Sequence, residues 1–321
     1  MYPTLTPSSL TPATRPTFYF IGVTTGRSSI RRVFPAWAEA LGLGDVEMVG
    51  IDVAIHADRA DYRAVTQFIK EDELSLGALV TTHKIDIFDA AHDLFDEIDP
   101  LASLMHEISC ISKSDGRLCA SAKDPISSGH ALDAFIPDGH FARTGAELCI
   151  FGAGGSAIAI DWYLTQASRG EDRPSRVTVT NRSQPRLDTL RSIHQQTAPD
   201  VDLAVVPAGT TGDNDAVLAA LPPHSIVINA TGLGKDAPGS PISDDAVFPE
   251  GALAWDLNYR GDLVFLDQAR AQRESRGVEP VDGWIYFIHG WTQVIAEVFH
   301  IDIPTSGPRF DELVAIAAET R

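Results

Sequence analysis

The chain is short of sulfur and of positive charge, and each shortage narrows what it can do. Its 321 residues include only three cysteines, Cys110, Cys119 and Cys149. They cannot all pair, none has zinc-type spacing, and Cys149 falls in an apolar run. Reduced thiols and a cytoplasmic setting are therefore expected. The ten histidines contain no H-E-x-x-H or H-x-H cluster, so no metal is expected. Lys and Arg number 25 against 44 Asp and Glu, a formal charge of −19. That balance excludes nucleic acid and anionic membrane surfaces as natural partners, since both demand a basic face. No apolar run approaches the roughly 20 residues that cross a bilayer. Residues 1–16 lack the basic start and apolar core of a secretory signal. Rich in Thr, Pro and Ser, they read as a disordered leader.

What remains is an ordinary globular composition, 44% hydrophobic and 21% charged, at a length comfortable for two domains. From Thr17 onward strand-like and helix-like segments alternate. Strands are predicted over 18–23, 46–53, 76–81, 108–113 and 118–122, with helices over 30–41, 62–70 and 86–95. A second series of strands is predicted at 147–151, 176–180, 203–206, 225–230 and 252–257, followed by a helical tail over 284–318. The pattern predicts an α/β protein. An N-terminal α/β substrate domain (17–128 plus 284–321) would precede a Rossmann-type, doubly wound domain (129–283), with a cleft between them. Hinge motion is expected at the crossings near Gly129 and Gly283.

The most specific local signal is Glu147-Leu148-Cys149-Ile150-Phe151-Gly152-Ala153-Gly154-Gly155-Ser156-Ala157. An apolar run enters a G-x-G-x-x-A turn, and a helix-compatible run leaves it. Gly152 permits a tight turn, Gly154 a close approach of pyrophosphate, and Ala157 close packing of helix on strand. The free N–H groups of Gly155 and its neighbours would then face the phosphates. An ordinary βα turn also favours glycine and is the plainer alternative. The next strand ends in Asn181-Arg182-Ser183, with Arg186 one helical turn on. NAD-binding folds usually place an acid there for the ribose 2′-hydroxyl. Here guanidinium groups replace it and suit a 2′-phosphate, so NADP is the expected cofactor. Solvated helix-start arginines are the alternative.

Two further residues sit where a proton relay could be built. Lys84 follows the apolar strand in Val80-Thr81-Thr82-His83-Lys84, and Asp124 lies in Ala120-Ser121-Ala122-Lys123-Asp124-Pro125. Strand-end loops commonly carry sites, although by spacing alone each residue reads first as a surface charge. Several segments occur here in an order that resembles the shikimate dehydrogenase family. They are Gly22-Val23-Thr24-Thr25-Gly26-Arg27-Ser28-Ser29-Ile30-Arg31; Gly77 through Lys84; Ile108-Ser109-Cys110; and Asp115-Gly116-Arg117-Leu118 continuing to Gly129. Gly152-Ala153-Gly154-Gly155-Ser156 and Asn181-Arg182-Ser183 follow, then Asn229-Ala230-Thr231-Gly232-Leu233-Gly234 and Asp256-Leu257-Asn258-Tyr259. The resemblance runs from residue 19 to about 300. It implies an NADP-dependent oxidoreductase that moves hydride at a ring hydroxyl or ketone of shikimate or a shikimate-like cyclic polyol. Lys84 would be its catalytic lysine and Asp124 its paired aspartate. Ser28, Arg27, Thr81, Ser109, Tyr259 and His289 would contact substrate. Gly152 through Ala157, Asn181, Arg182, Ser183, Arg186, Ala230 and Thr231 would hold the cofactor. A homodimer is left open.

The departures matter as much. The family's second substrate serine becomes Ile30, its A-V-N-T asparagine becomes Ser109, and its N-T-D becomes Ala122-Lys123-Asp124. A C-terminal glutamine becomes His289. Arg27, Arg31 and Lys123 add cations, which either bind an anionic group or stay solvated. The expectation is a retained proton relay inside an altered substrate shell. A cyclitol or related cyclic acid would then fit better than shikimate itself, because lost hydroxyl and amide partners reject the old ligand strongly. A non-catalytic sensor of NADP or ligand, and a folate-type dehydrogenase, are the rival readings.

Overall fold

The computed structural model describes residues 3–235 and 237–319. Residues 1 and 2 of the expected leader, and 320 and 321 of the expected substrate domain, lie outside them. The chain divides into two compact units, Met1–Asp124 with Ile288–Arg321, and Pro125–Phe287.

The first unit runs β1 (Thr4–Leu5), β2 (Thr17–Gly22), α1 (Ile30–Leu41), β3 (Glu47–Asp52), α2 (Arg59–Glu71), β4 (Ser75–Val80) and α3 (Lys84–Ala91). β5 (Glu97–Ile98), α4 (Pro100–Met105), β6 (Cys110–Ser114) and β7 (Arg117–Ser121) follow. Its sheet has the order β1-β3-β2-β4-β6-β7-β5. β1 to β4 pair in parallel, while β6 is antiparallel to both neighbours. Every residue of β2 is buried, as an apolar run covered on both faces should be. In α1, Ile30, Val33, Phe34 and Trp37 form one apolar stripe at helical spacing. The Trp37 indole N–H donates to the Leu313 carbonyl at 2.9 Å, which ties α1 to the C-terminal segment.

α5 (Asp124–Asp133) carries the chain into the second unit, which holds α6 (His140–Thr144), β8 (Leu148–Phe151), α7 (Gly155–Thr165), β9 (Arg176–Asn181), α8 (Gln184–Thr197) and β10 (Asp202–Pro207). Next come α9 (Thr211–Ala219), β11 (Ile226–Asn229), β12 (Leu253–Asp256), α10 (Val264–Ala271), α11 (Arg273–Arg276) and β13 (Glu279–Val281). α12 (Trp284–Phe299) leads back, and α13 (Pro308–Ala318) closes the chain. The sheet is wholly parallel, in the order β10-β9-β8-β11-β12-β13. Counted within the unit this is 3-2-1-4-5-6, the dinucleotide-binding order, whose switch point falls beside β8.

Three expectations need correction. The expected disordered leader supplies β1 instead: Thr4 and Leu5 pair with Gly50 and Ile51 of β3. Ala13 N–H donates to Asp72 at 2.8 Å, and Arg15 bridges Asp45 and Glu47. Backbone pairing needs no apolar side chains, so composition hid it. The second sheet has six strands rather than five, because β13 is three residues long and contains Pro280. β5 and α4 also went unread. A two-residue strand has no periodicity to detect, although Asp99 caps α4 and Pro100 opens it.

Gly152 holds φ at +107°, and a Cβ there would come within 2.6 Å of the Ala230 carbonyl oxygen. Gly154 has φ −91° and a nearest neighbour 4.0 Å from its would-be Cβ. Gly152→Ala is therefore expected to lower unfolding free energy by about 2–4 kcal/mol in urea denaturation. Gly154→Ala should leave it within about 1 kcal/mol. Equal effects would show that the turn is not strained at Gly152.

Candidate active site

In the first unit, Lys84 is the first residue of α3 and Asp124 the first of α5. The Lys84 ammonium donates to Asp124 Oδ2 in a short ion pair, with both side chains largely buried. Three backbone arrangements bring the two together. β4 runs out beside β2, where Thr81 N–H donates to Ile21 O at 3.0 Å. His83, fully buried, then pins the turn, with Nε2 at 3.0 Å from Val53 O and Nδ1 at 3.2 Å from the Tyr62 hydroxyl. Burial lowers the His83 pKa, so the ring is neutral. Third, Ser109 Oγ accepts the Lys123 N–H at 2.7 Å and fixes the residue before Asp124.

Other expected contacts are placed variously. Ser109 is buried with its hydroxyl spent on the Lys123 and Ser121 backbone. Thr81 lies over Gly22, with its methyl 2.8 Å from a would-be Cβ. Ser28 is half-buried, and Arg27 is exposed. Arg31 is buried and donates to the carbonyls of Met48 (3.0 Å), Pro3 (3.3 Å) and Thr25 (3.4 Å). It also lines a cavity of about 630 Å³ with Phe34, Glu47 and Met48 that includes neither Lys84 nor Asp124. Lys123 pairs with Glu297 at 3.0 Å. His289 is buried and stacks on Phe310 with ring centroids 4.4 Å apart. Tyr259 belongs to the other unit, packed on Phe287 (4.6 Å) and Trp284 (5.3 Å).

One residue was missed. Glu107 is fully buried, and neither carboxylate oxygen has a hydrogen-bond partner among the described residues. Burial pushes its pKa up to about 8; Asp124 adds to the rise and Lys84 opposes it. A signal existed, since Glu107 precedes Ile108 and so stands where the A-V-N-T segment begins with alanine.

The second unit holds a cavity of about 350 Å³ at the carboxyl ends of its strands. Gly152, Ala153, Gly154, Asn181, Arg182, Arg186, Ala230 and Thr231 line it, together with Thr180, Gly209, Thr210 and Asn214, which were not foreseen. Ser183, Gly155, Ser156 and Ala157 stand outside that lining. Ser156 Oγ lies 3.2 Å from the Tyr286 hydroxyl, and Ala157 is fully buried. A polar network shapes the far wall. Asn229 Nδ2 donates to Asp256 (3.1 Å), and Thr231 Oγ1 donates to Asn229 Oδ1 (2.6 Å). Asn258 Nδ2 donates to Leu233 O at 2.9 Å. Burial raises the Asp256 pKa to about 6.

These residues fit a dinucleotide bearing a 2′-phosphate. The start of α7 points backbone N–H groups outward, as helix starts that bind phosphate do. Gly154 leaves open space where a side chain would obstruct a phosphate. Arg182 and Arg186 line the cavity without an ion pair among the described residues. No group of three or more potential metal ligands occurs among the described residues, and none of their helices is long and apolar enough to cross a membrane.

No family model matches the chain. A shikimate dehydrogenase (NADP(+)) of Sphingopyxis alaskensis is 29% identical over 299 residues, spanning 92% of this chain and 94% of that protein. Its namesake in Streptococcus gordonii is 27% identical over 234 residues, 72% of this chain and 74% of the relative. A crystal structure of a shikimate dehydrogenase in complex with NADP+ superposes with a TM-score of 0.69 at 20% identity, covering 97% of both chains. A quinate dehydrogenase from Corynebacterium glutamicum in complex with NAD gives 0.69 at 17% identity, covering 95% of this chain and 99% of that one. The structural likeness carries the fold, and along nearly its whole length the chain is similar in sequence to shikimate dehydrogenases.

Proposed function

We propose that the chain is an NADP-dependent dehydrogenase acting reversibly at one ring carbon of shikimate or of a similar cyclic hydroxy acid or cyclitol. The observation that carries this reading is the buried Lys84–Asp124 pair, since a proton relay has no use in a purely structural protein. The relatives named for NADP(+) and shikimate support both the cofactor and the reaction class.

Gly152 to Gly154 and the start of α7 would hold the pyrophosphate, and Arg182 and Arg186 the 2′-phosphate. Held there, NADP+ would supply a hydride acceptor for the carbinol carbon. Lys84, uncharged at that moment, takes the hydroxyl proton on Nζ as the carbonyl forms. Asp124 accepts a hydrogen bond from the resulting ammonium, orienting it and offsetting its charge. In the reverse direction Lys84 gives that proton to the carbonyl oxygen. The replaced serine and asparagine, and a Ser109 hydroxyl already engaged with backbone, support a ligand shell unlike the usual shikimate one.

Arg186→Ala is expected to weaken NADPH binding about 10- to 100-fold while leaving NADH binding unchanged, measured by fluorescence titration. An equal loss for both nucleotides would remove the 2′-phosphate assignment. Lys84→Met should lower kcat/KM about 10²- to 10⁴-fold with NADPH affinity unchanged. Turnover at the unsubstituted rate would end the relay assignment and favour a sensor.

A further inference from the structure

We propose that Glu107 is a positioning residue for this relay: its buried carboxyl, set beside the Lys84–Asp124 pair, governs how readily Lys84 gives up its proton. The proposal rests on the relay assigned above. It starts from geometry. The backbone at His106 turns into the left-handed region (φ +51°), an uncommon conformation for a residue with a side chain, and delivers Glu107 into the interior. Ile108 N–H then donates to the Lys84 carbonyl at 3.0 Å, which registers Glu107 against the start of α3. Two residues on, Ser109 holds the approach to Asp124. The segment that follows Glu107 is thus bonded to the Lys84 backbone and to the residue before Asp124, yet neither Glu107 carboxylate oxygen has a hydrogen-bond partner among the described residues.

An unpartnered buried carboxylate is costly, so the group is carried as the neutral acid at neutral pH. Burial raises its pKa to about 8, and three charged groups act on it. Asp124 at the start of α5 and Asp99 ahead of α4 both raise it, and Lys84 at the start of α3 lowers it. Near neutrality the cluster is therefore one ammonium, one carboxylate and one neutral acid. As the pH rises, Glu107 loses its proton and adds a negative charge facing Lys84. The ammonium then holds its proton more tightly. Ketone reduction, which needs the ammonium, would persist to higher pH, and alcohol oxidation, which needs the free amine, would begin later.

Glu107→Gln keeps the shape and the neutrality but cannot ionise. The chain has only five lysines, so Lys84 can be followed individually by NMR after labelling lysine Cε with ¹³C. In the ligand-free protein, the Lys84 midpoint should fall by about one pH unit in Glu107→Gln, with the other lysines unmoved. The alkaline limb of ketone reduction should move by the same amount. An unmoved Lys84 midpoint in the folded variant overturns the proposal. If Glu107→Gln does not fold, the reciprocal measurement serves. The infrared carbonyl band of the neutral Glu107 acid should disappear at higher pH in Lys84→Met than in the unsubstituted protein, and an identical midpoint overturns the proposal equally. Both titrations are independent of turnover. A coupled Lys84 and Glu107 in a chain that oxidises nothing would keep this inference and sink the proposed function.

Discussion

Parallel strand pairing is the constraint on which the rest depends. Strands that run the same way deliver their carboxyl ends to one edge of a sheet, and the loops that follow must share that edge. In the second unit the consequence is direct. Gly152 N–H donates to Thr180 O at 2.8 Å and Ala230 N–H to Phe151 O at 2.8 Å, so each strand end is extended by hydrogen bonds to its neighbour. The glycine turn, the Arg182 and Arg186 pair and the Asn229–Thr231 wall meet around one cavity because of it. In the first unit the same rule takes β4 out beside β2 and into the turn that ends at Lys84.

That placement sets an electrostatic conflict. A helix start favours anions and opposes cations, each by about 0.3–1 kcal/mol. Asp124 sits in a favoured position at the head of α5, whereas Lys84 heads α3 against the dipole. Burial adds to the cost of its charge. The carboxylate beside it offsets both. Local rules broken at one point and compensated at another are what a functional site leaves in an otherwise consistent fold.

Much of this was legible in the sequence, for reasons that differ by element. α1 was read with its bounds because Ile30, Val33, Phe34 and Trp37 mark one helical face and Gly42 ends it. β8 and β11 were read because buried parallel strands leave continuous apolar runs, and β9 because its alternating Val and Thr are β-branched residues that favour strands. β1 and β5 were not, since two residues carry no period, and β1 is held by backbone pairing to Gly50 and Ile51. At the site, Lys84 and Asp124 stood out by their places after strands. Which polar side chains were already occupied could not be read. Ser109 looked like a ligand for substrate, yet its hydroxyl secures the Lys123 backbone. Arg31 looked like an anion contact, yet it serves three backbone carbonyls. Glu107 was passed over, although its place ahead of Ile108 was a signal, because its full burial shows only in the structure.

The central claim is a hydride transfer that uses NADP and a ring hydroxyl. Its most direct test is nicotinamide reduction by the purified protein, with NADP+ and NAD+ in parallel, across shikimate, quinate, cyclitols and aminocyclitols. The account predicts turnover of at least one of these rings with NADP+ and markedly less with NAD+. Absence of turnover of every ring with either nucleotide, in a protein that still binds NADPH, would contradict it.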